Sequence, residues 1–462
     1  MRILLVVYDN DSYIHWFPQG LASIAAVLVK NGHEVEIYSQ DMNHYPDEHL
    51  TNYLNKNKFD MVGVSVIAGY YQYRKLLKIS KAINKSKNRP YYVIGGHGPT
   101  PEPEYFLKKT KADVVVMGEG EVTVIELIEA IKGKRPFSSV KGIAYLKKGK
   151  VLINPRQDLI RDLDSIPLPA YDLFPMEYYR LLRMPHATNS DLVMPILSGR
   201  GCTFQCNYCY RLDKGFRPRS CESIIEEIRL LKEKYNITYF SFSDELLMSS
   251  EHRTISICND FIKAKLNIKW DCNGRLNFAK PDILKLMKKA GCVFINYGIE
   301  SFNDEILKNM NKILTTKQIT EGIEATLKIG ISPGLNIIFG NIGENQETLD
   351  RDVEFLLKYD DFVQMRTIRP VTPYPGCPLY YYAMQKGLLK GAEDFYENKH
   401  TNSDLLSVNF TTLSDDGFHK ALMRANSKLL KNYYRHQLNS ALAVTKNLYL
   451  NKDASFRGYR QS

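Results

Sequence analysis

Short apolar runs alternate with amphipathic stretches twice along this chain, and that double alternation restricts it to two α/β units in succession. In the first, RILLVVY (2–8), EVEIYS (34–39), MVGVSV (61–66), YYVIGG (91–96) and DVVVMG (113–118) are separated by helical patterns from about Gly20 to Lys30, around Tyr73–Asn84 and after Glu121. Apolar strands alternating with helices predict a parallel sheet covered on both faces. Residues 1–135 therefore read as a doubly wound, Rossmann-like domain.

In the second, VMPILSGRGC (193–202), TYFSFSDE (238–245), NIKWDCNGR (267–275), FINYGIES (294–301), GLNIIFGN (334–341) and FVQMRTIRPVTPY (362–374) take the strand positions. Six units predict an open, partial (β/α)6 barrel over 189–385 rather than eight-stranded closure. Between the two, residues 136–188 carry the strand pair GIAYLKKGKVLIN (142–154) and then Pro167, Pro169 and Pro175, which oppose regular structure. This stretch is predicted to be a linker that docks one domain on the other. From about Leu379 the tail carries helical patterns at 376–389 and 416–449, and residues 386–462 form a mainly helical C-terminal region, placed to cover the barrel mouth.

The chain has 462 residues, 44% of them apolar and 24% charged, which suits a folded protein of two or three domains. Its formal charge of +11 would suit nucleic acid, a membrane surface or an anionic substrate. The lysines are scattered rather than blocked with aromatics, so nucleic acid is not expected. Met1 leads directly into a strand pattern, and no apolar stretch reaches the ~18 residues of a membrane span. A cytoplasmic location without export signal or membrane span is the expectation.

Eight cysteines are too few for a disulfide scaffold, and three of them cluster. Cys202, Cys206 and Cys209 form C-x3-C-x2-C in a loop introduced by Gly199 and Gly201. Three thiolates at this spacing can hold three irons of a [4Fe–4S] cubane and leave the fourth open to a small molecule. A structural zinc site would be closed by four protein ligands, and no second cysteine or histidine pair lies nearby. The isolated Cys221, Cys258, Cys272, Cys292 and Cys377 read as packing residues.

The strand ends of the first domain are glycine-rich or polar: Ser65, then Gly95-Gly96-His97-Gly98, then Gly118-Glu119-Gly120-Glu121. Ligands of doubly wound sheets sit beyond such ends. The pattern does not match G-x-G-x-x-G, so a dinucleotide is not the favoured ligand.

With Tyr208 before its last cysteine, the triplet resembles the signature loop of the radical S-adenosylmethionine superfamily. That resemblance implies an open iron chelating the methionine moiety and a 5′-deoxyadenosyl radical formed on reduction, with a flavodoxin, ferredoxin or reductase as electron donor. Asp244 and Glu245 resemble the motif holding the methionine ammonium, and Arg275 the arginine that pairs with its carboxylate. Glu300 resembles the ribose-binding group. Ile338 to Glu344, including Gly340, resembles the adenine-contacting segment, with Ile342 where a proline is usual.

Ahead of the triplet, Pro18-Gln-Gly20, VGVSV with Ser65, IGGHGPT with Gly95, Gly96 and His97, and MGEGEVT with Gly118, Glu119 and Gly120 resemble the cobalamin-binding domain of cobalamin-dependent radical enzymes. The resemblance covers residues 1–385. No Asp-x-His-x-x-Gly loop occurs, leaving His15 and His97 as the imidazoles nearest the motif positions. The implied activity is methylation of an unactivated carbon of a small-molecule substrate. The alternative is ring formation or oxidation without methyl transfer, since PVTPYPGCPLY (370–380) resembles the anaerobic protoporphyrin ester cyclase branch, with Cys377 at a usual threonine.

Overall fold

The computed structural model describes residues 1–11, 16–211 and 215–458. Strands β1 (Arg2–Val7), β2 (Glu34–Ser39), β3 (Met61–Ser65), β4 (Tyr91–Gly95) and β5 (Val114–Val116) form a parallel sheet in the order β2-β1-β3-β4-β5. Helices Gln19–Lys30 and Glu121–Ile131 cover one face, and Asp47–Lys56, Tyr70–Lys85 and Pro103–Thr110 the other. The order reverses between β1 and β3, which opens a crevice at the carboxyl ends of the strands.

The predicted linker is more ordered than its sequence suggested. Strands β6 (Ile143–Lys147) and β7 (Lys150–Ile153) add antiparallel to β5 and widen this sheet to seven strands. The exposed edge of a three-residue β5 supplies unpaired backbone groups, and the hairpin satisfies them. Lys148 (φ 49°) and Gly149 (φ 79°) make the turn. The Pro-containing stretch does dock the domains: Tyr171, Phe174 and Tyr179 enclose the Phe17 ring, at centroid distances of 5.1, 5.2 and 5.4 Å. One apolar core then runs from the first sheet through these rings into the barrel.

The second sheet contains β8 (Val193–Ile196), β11 (Tyr239–Phe242), β12 (Lys269–Gly274), β13 (Cys292–Glu300), β14 (Ser332–Phe339) and β15 (Arg369–Pro370), all parallel, in the order β15-β14-β13-β12-β11-β8. Two expectations are corrected. The first strand ends at Ile196, and the chain resumes as β9 (Gly199–Cys202), paired antiparallel with β10 (Gly215–Pro218). The sixth is cut to two residues, because Pro370, Pro373 and Pro375 have no N–H to give a ladder.

The tail has two parts. Residues 378–400 clasp the first domain: Tyr380 donates to Glu102 at 3.0 Å, Tyr396 stacks on Tyr73 at 4.7 Å, and Glu397 pairs with Arg74 and Lys109 at 3.0 and 2.6 Å. The C-terminal helix Asp415–Leu450 packs beside the open edge at β15, with Phe418 stacked on Phe339 at 4.9 Å and Asn426 bonded to both backbone groups of Ile368. It covers the barrel's side rather than its mouth.

Candidate active site

The cysteine loop is clamped from four directions. Gly201 sits at φ 87°, where a Cβ would lie 2.3 Å from the Gly215 carbonyl oxygen, so only glycine lets β9 approach β10 this closely before Cys202. Arg211 donates to the carbonyls of Cys202 and Phe204. Asn311 donates to the Gln205 carbonyl at 2.7 Å, and Asn207 exchanges two amide bonds with Asn341 at 3.0 and 2.9 Å. Cys206 is buried, while Cys202 and Cys209 are half-buried. Burial raises the Cys202 thiol; burial and its neighbouring thiols push Cys209 up to about 11. The neutral form of Cys202 and Cys209 is thus favoured until a cation takes the charge.

The predicted S-adenosylmethionine residues divide into two groups. Asp244 is fully buried and accepts from Ser198 N at 2.7 Å, Gly199 N at 3.1 Å and the Ser198 hydroxyl, so its carboxylate holds the β8–β9 turn and does not face the cavity. Burial raises its acid to about 6 despite those donors. Glu344 likewise accepts from Gly340 N and Asn341 N at 2.6 and 2.7 Å, and burial beside Asp352 holds its carboxyl well above the ordinary range. Gly340 faces the Phe418 ring, which a Cβ would meet at 2.8 Å. These three order the loops. Ile338 and Tyr208 pack in the second apolar cluster, at the boundary with the first domain.

Glu245, Arg275 and Glu300 stay around the cysteine loop. Glu245 is exposed and accepts from Gly201 N at 2.9 Å. The Arg275 guanidinium lies 3.4 Å above the Phe204 ring, between Cys202 and Cys206, with burial depressing its basicity. Glu300 stands at φ 71° on a β-bulge and binds Lys312 Nζ at 2.9 Å; Lys312 in turn donates to the Tyr208 hydroxyl at 3.1 Å.

Lys312 escaped the sequence reading. It is 6% exposed, and a buried lysine in a polar stretch (NMNKIL) carries no pattern of its own. Also missed was an asparagine ladder across the sheet: Asn336 donates to Asn296 at 2.6 Å, Asn296 to Asn273 at 2.9 Å, and Asn273 to the Asp244 carbonyl at 2.7 Å. Amides at interior strand positions were its signal, because a packed core has no use for them. Replacing Lys312 with methionine keeps the volume and strands the Glu300 charge. The expected result is an S-adenosylmethionine Kd raised about tenfold or more, corresponding to ~1.4 kcal/mol, with the cluster spectrum unchanged; titration calorimetry reads it.

On the first domain the glycines serve different ends. A Cβ on Gly96 (φ 97°) would meet the Val66 carbonyl at 2.5 Å and one on Gly120 the Ile24 side chain at 2.8 Å, so these two pack loops; Gly95 makes ordinary contact with Val116. Gly20 and Gly118 (φ 81°) face open space. Ser65 and His97 are half-buried at the rim, beside an Ile67 that is 53% exposed. His15 lies outside the described residues.

Glu119 has the most altered place. Its carboxylate receives Arg200 at 2.8 Å, Arg217 at 3.0 Å on both oxygens and Ile160 N at 3.1 Å, while Arg200 also binds Glu121 at 2.6 Å. Arg200 lies two residues before Cys202, so this cluster ties the cobalamin-type motif to the cysteine loop. Burial opposes ionisation of Glu119, but Arg217 and Arg200 outweigh it and hold the carboxyl below its usual value. The strand ends of the two domains therefore face each other: the His97 ring meets Tyr210, next to Cys209, edge-on at 6.2 Å.

Three thiols at the end of a parallel half-barrel, opposite the switch point of a doubly wound sheet, define a radical enzyme with a second large-cofactor domain. Family models agree: the radical SAM superfamily matches residues 196–356 and the B12 binding domain residues 6–128. An uncharacterized methyltransferase of Pyrococcus horikoshii is 31% identical over 401 residues, covering 84% of each chain. The anaerobic magnesium-protoporphyrin IX monomethyl ester cyclase of Rubrivivax gelatinosus is 27% identical over 79% of this chain and 66% of its own. The fold matches the radical S-adenosylmethionine methyltransferase TsrM from Kitasatospora setae, solved with cobalamin and a [4Fe–4S] cluster, at a TM-score of 0.69 and 18% identity over 83% of this chain and 78% of that one. The chain belongs to the radical SAM superfamily, in its B12-binding-domain branch, and its cofactors are a [4Fe–4S] cluster, S-adenosylmethionine and cobalamin. Among the described residues no helix is long and apolar enough to cross a membrane.

The donor set suits these groups. Three thiols with the adjacent Arg275 fit an anionic cluster, and the polar amide ladder fits a zwitterionic ligand better than an apolar one. Among the described residues no three or more His, Cys, Asp or Glu side chains are grouped to hold a single metal ion, whereas a cubane takes one thiol on each of three irons.

Proposed function

We propose that the enzyme transfers a methyl group to an unactivated carbon of a small-molecule substrate held between the two domains. The observation that carries this reading is the meeting of His97, at the end of β4, with Tyr210, beside Cys209, which gives both cofactor regions one shared space. When bound, the cluster and S-adenosylmethionine supply hydrogen abstraction and the corrinoid supplies a methyl group.

The chain's own residues position and exclude. Cys202, Cys206 and Cys209 are assigned to the cluster. Arg275 offers a guanidinium for the methionine carboxylate, Glu245 an acceptor for its ammonium, and Glu300, oriented by Lys312, acceptors for the ribose hydroxyls. Ser65, His97, Gly118 and the exposed Ile67 are assigned to the corrin rim. Tyr208, Tyr210 and the clasp at residues 378–400 keep water from the space between domains. A flavodoxin- or ferredoxin-like donor is proposed to reduce the cluster.

The test is mass spectrometry of products formed with S-adenosylmethionine labelled in its methyl group. A product gaining one labelled methylene unit, with two S-adenosylmethionine molecules consumed per turnover, is the expected result. Loss of hydrogens with no label incorporated would instead assign the enzyme to ring formation or oxidation.

A further inference from the structure

The C-terminal helix Asp415–Leu450 changes its apolar side halfway along. In its first half Phe418, Ala421, Leu422, Ala425 and Leu429 are buried against the barrel. At roughly 100° per residue, these five share one side of the helix. From Tyr434 onward an exposed apolar row forms on the opposite side: Tyr434, Leu438, Leu442 and Tyr449 are 61%, 59%, 56% and 71% exposed, with Val444 and Leu450 off the row. The side that continues the buried one carries His436, Asn439, Ser440 and Asn447, together with Ala443 and Leu450. His436 still stacks on Phe362 at 3.8 Å, and Gln437 donates to the Phe362 carbonyl; beyond them the helix leaves the body of the protein.

The charges follow the same side. No Asp or Glu occurs between Asp416 and Asp453, and Lys420, Arg424, Lys428, Lys431, Arg435 and Lys446 all project within roughly a third of the circumference. That third overlaps the exposed apolar row. Lys420 reaches Asp416 at 2.7 Å and Arg424 reaches Gln346 at 3.1 Å, both at the surface. A helix that only spaced the chain in solvent would be polar on this face, because a stretch of exposed helix gains nothing from an apolar row.

We propose that this face docks the enzyme on an anionic lipid surface. A second copy of the helix would set cations against cations, whereas anionic headgroups complement them. A lipid interface also accepts a straight apolar row without a matching groove, and tyrosines and leucines flanked by lysines suit its boundary.

The test is co-sedimentation of the full chain with vesicles of phosphatidylcholine alone and of phosphatidylcholine mixed with phosphatidylglycerol. Binding to the mixed vesicles, weakened by added salt, is expected. The double variant Leu438→Asn/Leu442→Asn should weaken it roughly tenfold or more, and Arg435→Glu/Lys446→Glu should abolish the preference for phosphatidylglycerol. S-adenosylmethionine cleavage should stay unchanged in both, since these positions lie outside the cofactor region. Equal binding to the two vesicle types, or binding to neither, overturns the proposal. So does a dimer seen by light scattering that Leu438→Asn/Leu442→Asn dissociates, which would give the row to a second copy.

Discussion

Cys206→Ala is expected to abolish reductive cleavage of S-adenosylmethionine, with 5′-deoxyadenosine falling below detection and the visible cluster absorption lost. A cubane held by two thiolates has two irons without protein ligands, and the other five cysteines are buried in apolar clusters. Cys221, Cys258, Cys272 and Cys292 are buried in the barrel core. Cys377 is fully buried in the second apolar cluster, and burial pushes its thiol up to about 12. Cys202→Ala and Cys209→Ala should behave like Cys206→Ala. Cys377→Ala should keep the cluster; if it also keeps cleavage but changes the product, the cysteine serves the later chemistry. A cluster that forms normally in Cys206→Ala would refute the ligand assignment.

Glu119→Ala is expected to cost about 3–5 kcal/mol of stability, the usual consequence of removing one member of a buried ion-pair group. Its carboxylate is 7% exposed; without it Arg217 loses a two-oxygen pairing and Arg200 keeps only Glu121. Glu119→Ala/Arg217→Met should recover part of that loss, because the second change removes one stranded charge. The functional readout is separate. With Arg200, two residues before Cys202, held to the first domain by Glu121 alone, labelled methyl transfer should fall more than 5′-deoxyadenosine release, since the cysteine loop is held less firmly to that domain. Loss of cobalamin absorbance without loss of stability would show instead that Glu119 binds the corrin directly. The depressed acidity also has a sign: the stabilisation is fully present above the ordinary glutamate value near ~4.3 and fades as pH drops through the lower folded value.

The five-stranded parallel core, the half-barrel and the cysteine triplet were legible in the sequence because each is a local pattern. Strand and helix periods repeat within ten to twenty residues, and three ligands within eight residues need no folding to be recognised. The place of Arg275 and Glu300 beside the cysteine loop was legible for a similar reason, as polar residues ending apolar strands.

Other assignments failed on direction. Asp244 and Glu344 end apolar strands too, but their carboxylates turn inward to backbone N–H groups, and nothing in SFSDELL or IFGNIGE tells which way a side chain points. The hairpin at 143–153 was seen as a strand pair but not as part of the first sheet, since pairing with β5 is a long-range contact.

What the sequence determined by itself was the class: two α/β units, three thiols at cluster spacing and glycine-rich strand ends. Tertiary structure alone decided how the two units face each other. Arg200 and Glu119 stand 81 residues apart, Tyr208 and Lys312 stand 104 apart, and His97 meets Tyr210 across the domain boundary. Spacing along a chain records only neighbours within an element, whereas buried charges and facing rings acquire partners once the whole core has closed around them.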